Sequence, residues 1–434
     1  MNSSVNEKKF KKSNELLKTA QKFIPLGAQT FSKSYLQWPQ GISPLFIKKG
    51  KGAMITDVDG NTYIDFVNAL MAITLGHCDN DVTKAVKQQL DIGTIFSLSN
   101  TIEQEVAGMI IERVPCSEKV RFGKNGSDAT AGAIRIARAY TDRDRIAVCG
   151  YHGWQDWYIG STARHKGVPN AIRELTHSFS YNDIQSLEEL LVTYPNEFAA
   201  IILEPMNKEE PQDNFLQKVT DLGRKEGAVV IFDETITGFR FSRGGAQEYF
   251  NVTPDLATFG KGLSNGYPLS VITGSSEIMK ECEEIFFSFT MGGESISLAA
   301  AKVVMNKMDQ LDGYSYFNEL GTLIIDKVEA LIEKHNCTDF LNIKGHPSWS
   351  FLTFNDLPNA TLWQLKSLWQ QEIVQRGILS QGTHNLSLSH SKEDVSKLIS
   401  VYDEVFPILR EAIDQNIIDD MLLSAPIENL FKVR

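Results

Sequence analysis

Three short runs, "RIAVCG" (145–150), "AAIILEP" (199–205) and "GAVVIFDE" (227–234), are apolar almost without interruption. A strand with one wet face alternates apolar and polar residues, whereas a run without alternation has to be buried on both faces. Helical patterns separate the runs, "DATAGAIRIARAYT" (128–141) among them, where Ala129, Ala133, Ile136, Ala137 and Tyr140 share a face. Strands buried on both sides and alternating with helices imply a mostly parallel sheet with right-handed crossovers. Ligands of such sheets sit beyond the C-terminal ends of the strands. The residues that follow each run are therefore the place to look for chemistry.

Four pieces of the chain fall there. "KNGSDA" (124–129) is a small-residue turn leading into a helix, and the free N–H groups of Gly126 and Ser127 with the Ser127 hydroxyl make a phosphate cradle. A tight turn with an N-cap and no ligand has the same sequence. "GYHGW" (150–154) places Tyr151 at a strand end, flat against a planar ring or simply packed. Asp233 ends the third apolar run, where a buried carboxylate needs a partner, either a protonated ring nitrogen or an arginine. In "FGKGLSNGYPLS" (259–270), Lys261 lies between two glycines, as a Schiff-base amine with room for a cofactor to approach, or as an exposed turn lysine. Together the four supply what pyridoxal phosphate needs: a phosphate cup, a stacking aromatic, a carboxylate for the pyridine nitrogen and a lysine for the aldehyde.

Longer stretches carry a resemblance. "RFGKNGSDATAGAIRIARAYTDRDRI", "YHG", "ILEP", "FDETITGFR", "GGAQEYFNVTPDLATFGKGLSNGYPLSVITG" and "FTMGGESISLAAA" resemble class III aminotransferases of pyridoxal-phosphate fold type I, nearest to glutamate-1-semialdehyde 2,1-aminomutase. The resemblance runs from about residue 10 to 420 in the expected order. It implies an α/β fold whose large domain holds a mostly parallel seven-stranded sheet. A smaller α+β domain would be built from the C-terminus and the N-terminal segment. It also implies that Lys261 binds pyridoxal 5'-phosphate and shuttles protons, that Asp233 pairs with the pyridine nitrogen, that Tyr151 and Thr235 cover the two ring faces, and that Gly126 and Ser127 hold the phosphate. Glu204 and Asn207 of "LEPMN" fall near the phenolic oxygen, and His152 supports the stacking tyrosine. Thr290 matches a threonine that reaches the neighbouring subunit's phosphate, which implies a homodimer with a shared active site.

Two regions depart from the aminomutase pattern. The N-terminal loop "PLGAQTFSK" offers Thr30 and Lys33 where the family's serine and arginine hold a substrate carboxylate, and lysine cannot make the bidentate fork of arginine. "LSQGTHNLSLSH" (379–390) replaces a glutamate-bearing loop and puts His384 and Asn385 in the expected substrate region. Trp154 and Trp157 beside Gln155 and Asp156 suit a sugar or another polyol, or serve as core, and Trp38 carries the same ambiguity. The expected reaction is amino transfer to an aldehyde or keto acceptor, a keto sugar or surface-glycan precursor among them. The aminomutase itself and a non-catalytic cofactor-binding scaffold are the alternatives.

The rest of the chain sets limits. Residues 1–65 read as an N-terminal helix (7–23), the loop, and a hairpin turning on Asp59-Gly60-Asn61, joining a small domain with 313–434, while 66–312 form the cofactor domain. The tail restarts with a long helix, "YSYFNELGTLIIDKVEALIEKHN", then strand-like "SWSFLTF" and helices near 362–375 and 392–412. A net charge of -11 is the wrong sign for nucleic acid or an anionic membrane surface. Lys8, Lys9, Lys11 and Lys12 read as a solvated helix face. Five scattered cysteines without a C-x-x-C pair suggest reduced thiols in a cytoplasmic protein and no metal centre. No apolar stretch approaches a membrane span or a signal peptide.

Overall fold

A computed structural model describes residues 9–429; Lys8 of the basic run lies outside them. The chain forms two compact units, and the larger comprises residues 71–74 and 80–314. Its seven strands are β1 (Lys119–Gly123), β2 (Arg145–Cys149), β3 (Thr176–Ser178), β4 (Phe198–Leu203), β5 (Val229–Asp233), β6 (Leu256–Phe259) and β7 (Ser270–Gly274). They lie in the order β1-β7-β6-β5-β4-β2-β3. Only β7 runs antiparallel to its neighbours, β1 and β6.

The three apolar runs became β2, β4 and β5, and every residue of β4 and β5 is buried. One face of the sheet presents Val148, Ile202, Ile231 and Ile272 to the helix Gly126–Thr141, through Ala129, Ala133, Ile136 and Ala137. The other presents Ala147, Ile201, Val230 and Phe232 to Leu187, Phe215, Leu216 and Val219 of the helices Ile184–Thr193 and Phe215–Glu226. Tyr140 departs from the face expected of it. It sits near the helix end, 40% exposed, with its hydroxyl donating to Glu277.

The smaller unit comprises the described residues of 9–70, 75–79 and 315–429. The expected hairpin is a three-stranded meander, Ile47–Lys51, Met54–Asp57 and Thr62–Asp65, because the chain also reverses at Gly52, a turn hidden in a run of lysines. Its second reversal is closed by Asp57, whose carboxylate accepts from the Asn61 N–H and side-chain amide and from the Tyr63 hydroxyl. Ile378–Leu379 adds to this sheet in parallel. An antiparallel sheet of Leu341–His346, Trp349–Phe354 and Thr383–Asn385 and the helices Leu362–Gln375 and Lys392–Asp414 complete the unit. No helix of the described residues is long and apolar enough to cross a membrane.

Candidate active site

Five strands of the larger unit, β1, β2, β4, β5 and β6, end at the same edge of the sheet, and residues just past them carry the candidate site. Past β1, the helix Gly126–Thr141 begins. Asp128, the third residue of its capping box, accepts from the N–H groups of Lys124 and Asn125, while those of Gly126 and Ser127 meet no acceptor among the described residues. Two free N–H groups at the positive end of a 16-residue helix favour an anion. Past β2 comes Gly150-Tyr151-His152-Gly153. Gly153 has φ +104, and a Cβ there would lie 2.3 Å from Ser127 Oγ, so the tyrosine loop closes against the helix start only with glycine at that position. The Trp154 N–H donates to the same Ser127 Oγ at 3.3 Å.

Asp233 ends β5 with both carboxylate oxygens engaged. Oδ1 accepts from the Thr235 N–H (3.1 Å) and hydroxyl (2.6 Å) and from the Thr258 hydroxyl (3.0 Å). Oδ2 accepts from His152 Nδ1 at 2.9 Å, and His152 Nε2 donates to the Cys149 carbonyl. Burial pushes this carboxyl up, but His152 and Thr235 outweigh it and hold the group below the usual range. His152 is thus bonded directly to the carboxylate. Sequence reading missed Thr258 altogether, because only the pairing of β5 with β6 puts Thr258 opposite Asp233.

Lys261 follows β6. Burial lowers its amine from the ordinary lysine value, opposed by the nearby carboxylates of Glu204 and Asp233. Burial pushes the Glu204 carboxyl up, and its Oε2 accepts from the Tyr151 N–H (2.9 Å) and the Asn207 amide (3.0 Å). Three of the four pieces meet at Thr235, whose Cγ2 lies 3.2 Å from an ideal Cβ on Gly126 and 3.4 Å from one on Gly260, and the tyrosine loop joins them through His152 and Asp233. A Cβ on Gly260 would make ordinary contact with Thr235, whereas one on Gly262 would clash with Thr74.

Tyr151 is 48% exposed and Trp154 65%, whereas Trp157 and Trp38 are core residues, which removes both from the sugar-facing set. Thr290 is exposed and lines a cleft of about 490 Å³ with Lys124, Asn125, Asp128, Arg135 and Gln155. In the smaller unit, Thr30 and Lys33 are exposed on a single turn, with Thr30 Oγ1 accepting from the Lys33 N–H. His384 is a correction. It is fully buried, its ring bonded to the Ser350 and Tyr402 hydroxyls, and burial pulls it down to about 3, so it is a neutral core residue with no free nitrogen for a substrate. Asn385 is buried beside it, with its amide donating to the Val67 carbonyl.

The family described as aminotransferase class-III matches residues 36–366. The chain belongs to the class-III aminotransferases. This aminotransferase is 31% identical to the 3-aminobutyryl-CoA aminotransferase of Cloacimonas acidaminovorans (strain Evry), over 91% of the chain and 97% of that protein. It is 32% identical to the glutamate-1-semialdehyde 2,1-aminomutase of Sulfurihydrogenibium azorense (strain DSM 15241 / OCM 825 / Az-Fu1), over 92% and 99%. Its structure is similar to the FumI protein of Sphingopyxis sp. MTA144, solved in its PLP internal aldimine form, with a TM-score of 0.86, 25% identity, and 95% and 98% of the two chains covered. Class-III aminotransferases are enzymes of fold type I that use pyridoxal phosphate. The free N–H pair at Gly126 and Ser127, the ionised Asp233 and the desolvated Lys261 fit that cofactor's phosphate, ring nitrogen and aldehyde in turn.

Proposed function

We propose that this enzyme moves an amino group from a small-molecule donor to an aldehyde or keto acceptor. The observation that carries the reading is the pairing of a carboxylate held ionised by four hydrogen bonds with a lysine amine whose charge burial disfavours, Asp233 and Lys261. Pyridoxal phosphate, when bound, supplies the electron sink for the carbanion next to nitrogen. Gly126 and Ser127 would bind its phosphate, Tyr151 and Thr235 would flank its ring, and Glu204 with Asn207 would serve its phenolic oxygen. Asp233 keeps the ring nitrogen protonated, oriented by His152, Thr235 and Thr258. Lys261 takes the proton from the carbon bearing nitrogen and returns it. A donor leaves its nitrogen on the enzyme and departs as a carbonyl compound, and the acceptor then takes the nitrogen up.

For the acceptor, a lysine at position 33 in place of a forked arginine and the exposed Trp154 favour a polyol such as a keto sugar or surface-glycan precursor over a small carboxylate. Similarity to the aminomutase at 32% identity favours the second reading, conversion of glutamate-1-semialdehyde. A panel of amino donors separates the two. One donor is expected to bleach the visible band of the lysine-bound cofactor, and a keto sugar to restore it. Formation of 5-aminolevulinate from the semialdehyde without any donor would establish the aminomutase instead.

The reading includes a cytoplasmic homodimer. Leu98 (85% exposed), Ile92 (69%) and Phe286 (80%) are apolar side chains that a second copy would cover. Arg135 and Arg121 donate to the Phe286 and Phe287 carbonyls, holding the backbone of the segment that leads to Thr290 while the Phe286 side chain projects and Phe287 packs against the core. Phe286→Glu is expected to sediment as a monomer and to retain pyridoxal phosphate about tenfold less well, since a buried, unpaired charge opposes association. An unchanged dimer would count against this interface. The cysteines among the described residues are all unpaired, in keeping with a reducing compartment.

A further inference from the structure

Gly262, the second glycine beside Lys261, is bare because Thr74 occupies the space. A Cβ at Gly262 would meet Thr74 Oγ1 at 2.4 Å and the Met71 carbonyl at 3.1 Å. Thr74 is 3% exposed, and its hydroxyl donates to the Gly262 carbonyl at 2.8 Å. The other donor to that carbonyl, the Asn265 N–H, is longer at 3.3 Å. On the near side, the Leu263 N–H donates to the Gly260 carbonyl at 3.1 Å. Between these pins stands Lys261 with φ +43, in the left-handed region that a side-chain-bearing residue keeps only where its surroundings over-determine it. Residues 71–74 and 260–265 belong to the same compact unit, so the Thr74 contact fastens the turn to a segment far away in sequence.

We propose that Thr74 is the positioning residue of Lys261. Its hydroxyl fixes the peptide that follows the lysine and so sets the direction in which the amine leaves the backbone. A side chain that must both hold the cofactor and carry a proton depends on that direction at each step. Without the hydroxyl, the Gly262 carbonyl keeps only its longer bond, and the strained lysine is free to relax toward negative φ. The inference rests on Lys261 being the cofactor-bearing base.

The test compares the holoenzymes of Thr74→Val, which cannot donate, and Thr74→Ser, which can. Thr74→Val is expected to fold, to bind pyridoxal phosphate and to keep its KM values within about twofold. Its kcat is expected to fall by about 10- to 100-fold, the scale of a small misplacement of a reacting group. Two readouts do not depend on turnover. The pH at which the visible band titrates should shift, and the apoprotein should recapture pyridoxal phosphate about tenfold more slowly. Thr74→Ser should recover all three. Wild-type values in Thr74→Val, or equal impairment in Thr74→Ser, would overturn the proposal. If Thr74→Val does not fold, Thr74→Ala is measured in the same way, and failure of both to fold makes Thr74 a packing residue and overturns it as well. Should Lys261→Ala prove fully active, the underlying reading fails; an inactive Lys261→Ala with a wild-type Thr74→Val removes the positioning role alone.

Discussion

Lys261→Ala is expected to lower kcat by about 10³- to 10⁴-fold, the upper range for a positioned acid-base group, and to lack the visible band of the lysine-bound cofactor. The charged groups that act on Lys261 are Glu204 and Asp233, both carboxyls, and neither can take over as an amine. Asp233 holds His152, Thr235 and Thr258, and Glu204 is tied to the Tyr151 N–H and Asn207. The substitution leaves the fold in place, because alanine at φ +43 keeps the left-handed strain of about 1–3 kcal/mol that lysine already bears. Thermal denaturation should therefore move by only a few degrees, separating lost chemistry from lost structure. Small primary amines added to the mutant are expected to restore a fraction of turnover. Turnover within tenfold of the wild type would remove Lys261 from the mechanism. The burial that lowers its amine also gives a sign for pH: apoprotein should capture pyridoxal phosphate through Lys261 at pH values where a solvated lysine is still largely protonated.

Asp233→Asn is expected to lower kcat by about 10²-fold, as removal of a single electrostatic stabiliser does. Asparagine keeps the shape and the acceptor toward Thr235 and Thr258 and removes the negative charge. Alanine is the poorer test, since it also removes the acceptor facing His152 Nδ1, and leaving a buried polar group unsatisfied costs about 1–3 kcal/mol. The pH dependence follows from the direction of the shift. The folded carboxyl lies below its unfolded value of about 3.9, so its contribution to stability is fully present above that pH and is lost only as pH falls through the lower folded value. Between pH 7 and about 5 the ring-nitrogen partner accordingly stays ionised, and an acid limb in that window belongs to another group. A mutant with wild-type kcat would show that the carboxylate serves the fold alone.

Much of the larger unit was legible from pattern. Apolar runs without alternation marked β2, β4 and β5, because a strand buried on both faces can hold little else. The helix Thr101–Arg113 went unread although its start carries a visible signal, Asn100 followed three residues later by Glu103, a capping box that the structure uses. His384 was misplaced and Trp157 left open for one reason: an aromatic or histidine beside polar residues looks like a binding group until its burial is known. Trp157 went into the sheet's core, and His384 into a bonded pocket with Ser350 and Tyr402.

The division between sequence and structure is clearest around Asp233 and Lys261. Strand ends, turn glycines and the order of the motifs are local properties, so the sequence by itself determined the family, the cofactor and the strand-end positions of both residues. The Asp233 partners, by contrast, come from the loop after β2 and from β6 as well as from the turn after its own strand. Thr74 meets Gly262 across 188 positions of sequence. Contacts of that separation depend on strand order and register, which no periodicity encodes, and the tertiary structure alone decided which side chains hold the carboxylate ionised and the lysine turn in place.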